Sequence, residues 1–233
     1  MEFDFEPYFR RYEGLAAAAD QAFERVRAAY GDLVRCRRGC AECCHALFDL
    51  TLIEALYLNH HFRARFTGEE RARIEEAANR ADRRVAQIKR RAYRKLQDGE
   101  SELEVLEALG RERVRCPLLN ARDLCDLYEH RPLTCRFYGI PTAAQGTGRT
   151  CGLSGFEPGT AYPTVLLDNV HAKLQELSAE LLRELQARHI KLADLLVPLS
   201  TALLTEYDEI YFGLREEPVE EPPPRRRRSR RKA

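Results

Sequence analysis

Cys36-Arg37-Arg38-Gly39-Cys40-Ala41-Glu42-Cys43-Cys44 places four cysteines within nine residues, separated by gaps of three, two and no residues. Short gaps of this kind let thiolates converge on one ion, because the chain between them turns and aims successive side chains at a common centre. The adjacent pair is different. Neighbouring side chains diverge, so one of Cys43 and Cys44 serves a second metal, bridges two metals, or stands aside as a reactive or packed thiol. The other four cysteines, Cys116, Cys125, Cys135 and Cys151, are spread widely enough to need a preformed loop scaffold. Eight ligands allow two four-cysteine sites, or one site with cysteines to spare. The first site is expected to use Cys36, Cys40, Cys43 and one or more of the distal cysteines.

Outward from this run the pattern is helical. Upstream, Leu15, Ala18, Ala19, Phe23, Val26 and Tyr30 recur at three- and four-residue steps, which predicts a helix from about Pro7 to Ala29 with Gly31 as a stop. Downstream, Thr51 and Glu54 form a capping-box pattern ahead of Leu52, Ala55, Leu56, Leu58 and Phe62. A long charged helix is expected from Gly68 to Gln97, its inward stripe marked by Ile74, Ala77, Ala81, Val85, Ile88, Ala92 and Leu96. Its charges are read as a solvated face. A shorter helix follows over Glu102 to Leu109. From Cys116 to Gly159 the chain is rich in Gly and Pro and lacks periodicity, so it is expected to be loop stapled by metal. After Pro163, Leu167, Val170, Leu174, Leu177, Leu181 and Leu185 predict a helix that packs on the first one. A last helix is expected over Lys191 to Tyr211, kinked near Pro198. The fold class is mainly α, a helical bundle with a cysteine-rich, loop-built metal-binding core. Residues 1–213 are expected to form one domain with the cluster region embedded at 33–152, and 214–233 a disordered Pro/Arg-rich tail.

Composition narrows the function classes. With 44% apolar and 32% charged residues, the 233-residue chain is ordinary globular material. The net charge of +1 hides an asymmetry: the segment from Arg225 to Lys232 carries seven basic side chains, leaving 31 basic against 37 acidic residues elsewhere. A basic nucleic-acid-binding face is therefore not indicated, and contact with nucleic acid is expected only through the tail. Any other partner is an unidentified protein or small molecule. The acidic start and the absence of a 20-residue apolar run predict a cytoplasmic protein without a membrane span. In a reducing compartment eight cysteines do not pair as ordinary disulfides. Scattered packing thiols are not the pattern either, since all eight lie between Cys36 and Cys151.

Soft thiolates select zinc, copper(I) or iron–sulfur clusters, so zinc and iron–sulfur both stay open. His45 and His130 are candidate extra ligands, whereas His60 and His61 read as helical and structural. The run from Cys36 to Cys44, then Cys116-Pro117-Leu118-Leu119, then Cys125-Asp126-Leu127-Tyr128-Glu129-His130-Arg131-Pro132-Leu133-Thr134-Cys135-Arg136, resembles the YkgJ-type cysteine-cluster family over about residues 33–152. That resemblance implies chelation of zinc or iron by the eight cysteines. It extends to a flagellin lysine N-methylase, which implies as an alternative a metal-dependent protein-modifying enzyme. Arg131 and Arg136 are expected either to donate to cluster sulfurs and loop carbonyls or to pair with Asp123, Asp126 or Glu129. Tyr128 and Tyr138 are expected to pack against the site.

Two further enzyme readings are weak in the sequence. The gaps between the first three cysteines are also those of radical-SAM enzymes, but no alternation of strands and helices accompanies them. A methyltransferase reading lacks the usual Gly-rich loop after a strand.

Overall fold

The computed structural model describes residues 3–214. Among them are seven α-helices: α1 (Glu6–Ala29), α2 (Leu52–Arg65), α3 (Gly68–Gln97), α4 (Glu102–Arg111), α5 (Leu133–Phe137), α6 (Leu167–Glu184) and α7 (Leu199–Leu204). Five strands of two or three residues join them: β1 (Asp49–Leu50), β2 (Thr142–Ala144), β3 (Thr147–Arg149), β4 (Val165–Leu166) and β5 (Val197–Pro198).

α2 is the centre of the molecule. Its capping box forms as the sequence predicts, with Thr51 N–H and Oγ1 donating to the Glu54 carboxylate at 3.2 and 3.0 Å. Every residue from Leu52 to Asn59 is buried, so the first two turns of the helix are covered on all sides. One side packs with α1 and α6 through Tyr12, Ile53, Tyr57, Leu177 and Leu181. The opposite side packs with α3 and α7 through Leu58, Phe62, Ile74, Ala78, Ala202 and Leu203, joined by Leu118 and Leu127 from the cysteine region. α6 lies on α1 as expected, tied by Tyr8 Oη donating to Glu184 at 2.6 Å and by an Arg11–Glu180 pair.

α3 buries Ile74, Ala78, Ala81, Val85 and Ile88. Its outer face carries Arg71–Glu75 and Arg80–Glu76 pairs one turn apart, each worth about 0.3–0.5 kcal/mol. These charges are a solvated face, as the sequence indicates.

The predicted helix over Lys191–Tyr211 does not form. A 3₁₀ turn (Ile190–Ala193) is followed by β5 and then by the six residues of α7. Pro198 sits at ψ 149°, extended, and pairs with Asp49 of β1. A proline has no N–H for a preceding turn and biases the residue before it to extended backbone. Beyond Leu204 the helix stops because α2 supplies the cap. Asn59 Nδ2 donates to the carbonyls of Ala202, Leu203 and Thr205 at 2.8, 3.3 and 3.1 Å.

The region from 116 to 159, expected as loop, contains α5 and a β2–β3 hairpin turning at Gln145-Gly146, both at positive φ. β2 also pairs with β4 in parallel. Strands this short show no alternation in a sequence. The expected disordered tail lies, from residue 215 onward, outside the described residues.

Candidate metal centre

The cysteine-rich loop leaves α1 through backbone bonds from Val34 N–H to Tyr30 O and from Gly155 N–H to Leu33 O, at 3.2 and 2.8 Å. The second bond brings the Cys151 loop beside Cys36. Gly139, at φ +106°, closes the approach, since a Cβ there would lie 2.6 Å from Cys36 Cβ. Cys36, Cys40, Cys43 and Cys151 then line one cavity with Tyr138 and Gly139.

Cys43 and Cys44 occupy a 3₁₀ turn (Glu42–His45). From that turn the chain pairs with the segment before Cys116. Val114 N–H donates to His45 O at 3.0 Å and Cys116 N–H to Cys44 O at 2.7 Å. Cys116-Pro117-Leu118-Leu119 folds back to meet Cys125 through the Leu119–Cys125 bridge and an Asp126 N–H bond to Leu118 O. Asn120 holds the intervening turn, its Oδ1 accepting from Arg122 and Leu124 N–H and its Nδ2 donating to Asp126 at 2.7 Å. Cys135 arrives on α5, whose Leu133 N–H donates to the buried Glu54 at 3.1 Å. Cys44, Cys116, Cys125 and Cys135, with Cys43, line a second cavity of about 60 Å³ whose far wall is apolar (Phe48, Ala81, Val85, Leu127).

Leu153 N–H lies 3.5 Å from Cys151 Sγ, and the backbone amides of Leu118 and Leu127 hold the Cys116 and Cys125 thiols lower than burial alone would. Amide donors of this kind favour the thiolate, the form that binds metal. Arg131 favours it too at Cys36, Cys43 and Cys125, whereas burial opposes it. Burial pushes the Cys36 thiol up to about 11 and Cys116 up to about 12. Cys43 is the exception, held far below the usual thiol range because Cys135 and Cys44 donate hydrogen bonds to its sulfur. Those two donors are correspondingly raised.

All eight cysteines are partly buried and none is in a disulfide. Among the described residues no three His, Cys, Asp or Glu side chains already stand in coordinating geometry. The donor set nonetheless fits a soft-metal group: sulfur-only, gathered from distant segments, and supplied with amides and nearby cations. Arg131 lines the second cavity and lowers the Cys43 thiol, while Arg35 lines the first.

Arg131 and Arg136 satisfy the carbonyl half of their expected roles. Arg136 donates to Arg131 O at 3.0 Å and to Glu129 O, and Arg131 to Tyr128 O at 3.0 Å. Their carboxylate partner is neither Asp123, Asp126 nor the Glu129 side chain but Asp20 of α1. Nothing near Asp20 in the sequence signals this, because the contact spans more than a hundred residues. Tyr138 borders the Cys36 cavity, where burial raises its hydroxyl and Arg113 partly offsets the rise. Tyr128 points outward beneath the Arg131 guanidinium, 4.1 Å from its ring centroid. The two candidate histidine ligands line neither cavity. His45 Nδ1 is 3.0 Å from Ala41 O, and His130 stacks on His61 with centroids 3.6 Å apart.

A protein-family model headed CxxCxxCC, described as "Putative zinc- or iron-chelating domain", matches residues 35–152, just over half of the chain. The chain belongs to this family. Its first gap, Cys36 to Cys40, is one residue longer than the family heading implies. No curated protein and no solved structure matches the chain.

Proposed function

We propose that this protein binds metal through cysteine thiolates of residues 36–151, holding zinc or an iron–sulfur cluster as a group that also staples the loop region. The observation that carries the reading is the gathering of all eight cysteines, from segments far apart in the chain, onto the walls of two cavities that share Cys43. Thiols that serve only as packing have no need to converge in this way, whereas ligands of a common group must. Zinc in such a site supplies structural energy, and an iron–sulfur cluster supplies one-electron transfer. The protein's own residues hold the sulfurs in place, offset their charge through Arg131 and Arg35, and cover them with Tyr138, Leu118 and Leu127. The reading places the chain in a reducing compartment such as the cytoplasm. No contact among the described residues favours the protein-methylating alternative.

The test is metal and acid-labile sulfide analysis of anaerobically purified full-length chain, paired with a count of reactive thiols. The expected result is stoichiometric metal with most of the eight thiols shielded until a chelator or acid releases them. Eight reactive thiols and no metal would overturn the reading.

A further inference from the structure

We propose that the eight cysteines make two separate four-thiolate centres, Cys36/Cys40/Cys43/Cys151 and Cys44/Cys116/Cys125/Cys135, with the Cys43–Cys44 peptide bond as the boundary between them. The proposal rests on the metal-binding reading and adds the number of centres and the ligands of each.

Three observations point the same way. First, the cysteines sort themselves by cavity: Cys36, Cys40 and Cys151 line only the first, and Cys44, Cys116, Cys125 and Cys135 only the second. Cys43 alone borders both, as a residue in the shared wall must. Second, members of the two sets pack on different cores, although Cys135 sits on α5 between Leu133 and Phe137 of the first. Cys36 packs against the α1–α2–α6 cluster, whereas Cys116 and Cys125 pack against the α2–α3–α7 cluster. Third, Cys43 and Cys44 are consecutive residues of a 3₁₀ turn. At three residues per turn their side chains project about 120° apart, which leaves Cys43 in the wall shared by both cavities, within reach of the first set as well as of Cys44 and Cys135.

Ligand number completes the assignment. Closed zinc sites and cubane or rhombic iron–sulfur clusters each take four protein ligands. The second set reaches four without Cys43, and the first reaches four only with it. Cys44 has no place in the first cavity, and its backbone carbonyl is already tied to Cys116 at 2.7 Å. Each centre has its own cation at the rim, Arg35 for the first, Arg115 and Arg131 for the second, which reduces repulsion between two neighbouring thiolate-rich groups.

The experiment is an anaerobic Co²⁺ titration of the reduced full-length chain, followed by thiolate-to-cobalt absorption and by alkylation with mass-spectrometric mapping. Saturation is expected at two equivalents, with cysteines becoming protected in two blocks of four that match the assignment. The Cys36→Ser/Cys151→Ser and Cys116→Ser/Cys125→Ser double variants should each keep one equivalent. Saturation at one equivalent, or protection of all eight cysteines in a single step, would overturn the two-centre assignment while leaving metal binding intact. No thiolate-to-cobalt band and no protection would remove the metal-binding reading itself. The block pattern is measured on the unaltered chain, so it decides the matter even where a double variant fails to fold.

Discussion

Gly139 shows how much of the site depends on single residues away from the cysteines. Its φ of +106° and the 2.6 Å that would separate an added Cβ from Cys36 Cβ leave no room for a side chain. Gly139→Ala is expected to cost about 1–3 kcal/mol in urea unfolding through backbone strain, and to lower metal retention by displacing Cys36. Asp20 carries a second dependence. It neutralises Arg136, whose side chain is 6% exposed, and reaches Arg131 as well. Asp20→Ala should destabilise the fold by about 2 kcal/mol, less than a fully buried pair because Asp20 itself is 41% exposed. The eight cysteines were legible in the sequence because their gaps are short or their flanking motif is dense. Gly139 and Asp20 were not, since their significance lies in contacts with residues about a hundred positions away, which no local pattern encodes.

At the scale of elements, long amphipathic helices were legible and short ones were not. α1, α3 and α6 each carry several turns of apolar stripe, and their boundaries fall within a few residues of those the sequence predicts. α7 has six residues and stands by tertiary ties: Asn59 caps its end, and Ser200 and Thr201 donate to Asp82 of α3 at 3.2 and 2.6 Å. The sequence predicts one kinked helix over Lys191–Tyr211 because nothing local reveals that Pro198 will pair with Asp49. Asn59→Leu should expose the dependence, leaving the Ala202 and Leu203 carbonyls without their donor while Arg63 still reaches Thr205 O, and costing about 1–3 kcal/mol of stability by thermal or urea unfolding. β2, β3 and α5 were missed for the same reason as α7. Segments of three to five residues have no period to detect, and they form here because the surrounding loops fix their ends.

Over the whole molecule, α2 divides two apolar cores, and the cysteine region reaches into both. Removing metal with a chelator is expected to speed amide exchange across residues 113–155, with little change at Tyr12, Ile53 and Leu181 in the α1–α2–α6 core. A pH dependence follows from the stacked imidazoles. Burial first, then His130 and His60, lowers His61 to about 4, and burial also lowers His130. The folded state therefore holds fewer protons than the unfolded state between about pH 6.5 and 4, so stability is present above that window and falls as pH drops through it. The melting temperature should decline from pH 7 to 5, and His61→Gln should flatten the decline.

The central claim is that sulfur atoms of these cysteines hold a metal, and X-ray absorption at the metal edge of anaerobically purified full-length chain tests it most directly. The edge energy identifies zinc or iron. A first shell made of sulfur, at about 2.3 Å if the metal is zinc, is the expected result. A shell of oxygen and nitrogen alone, or no metal above background, would contradict it.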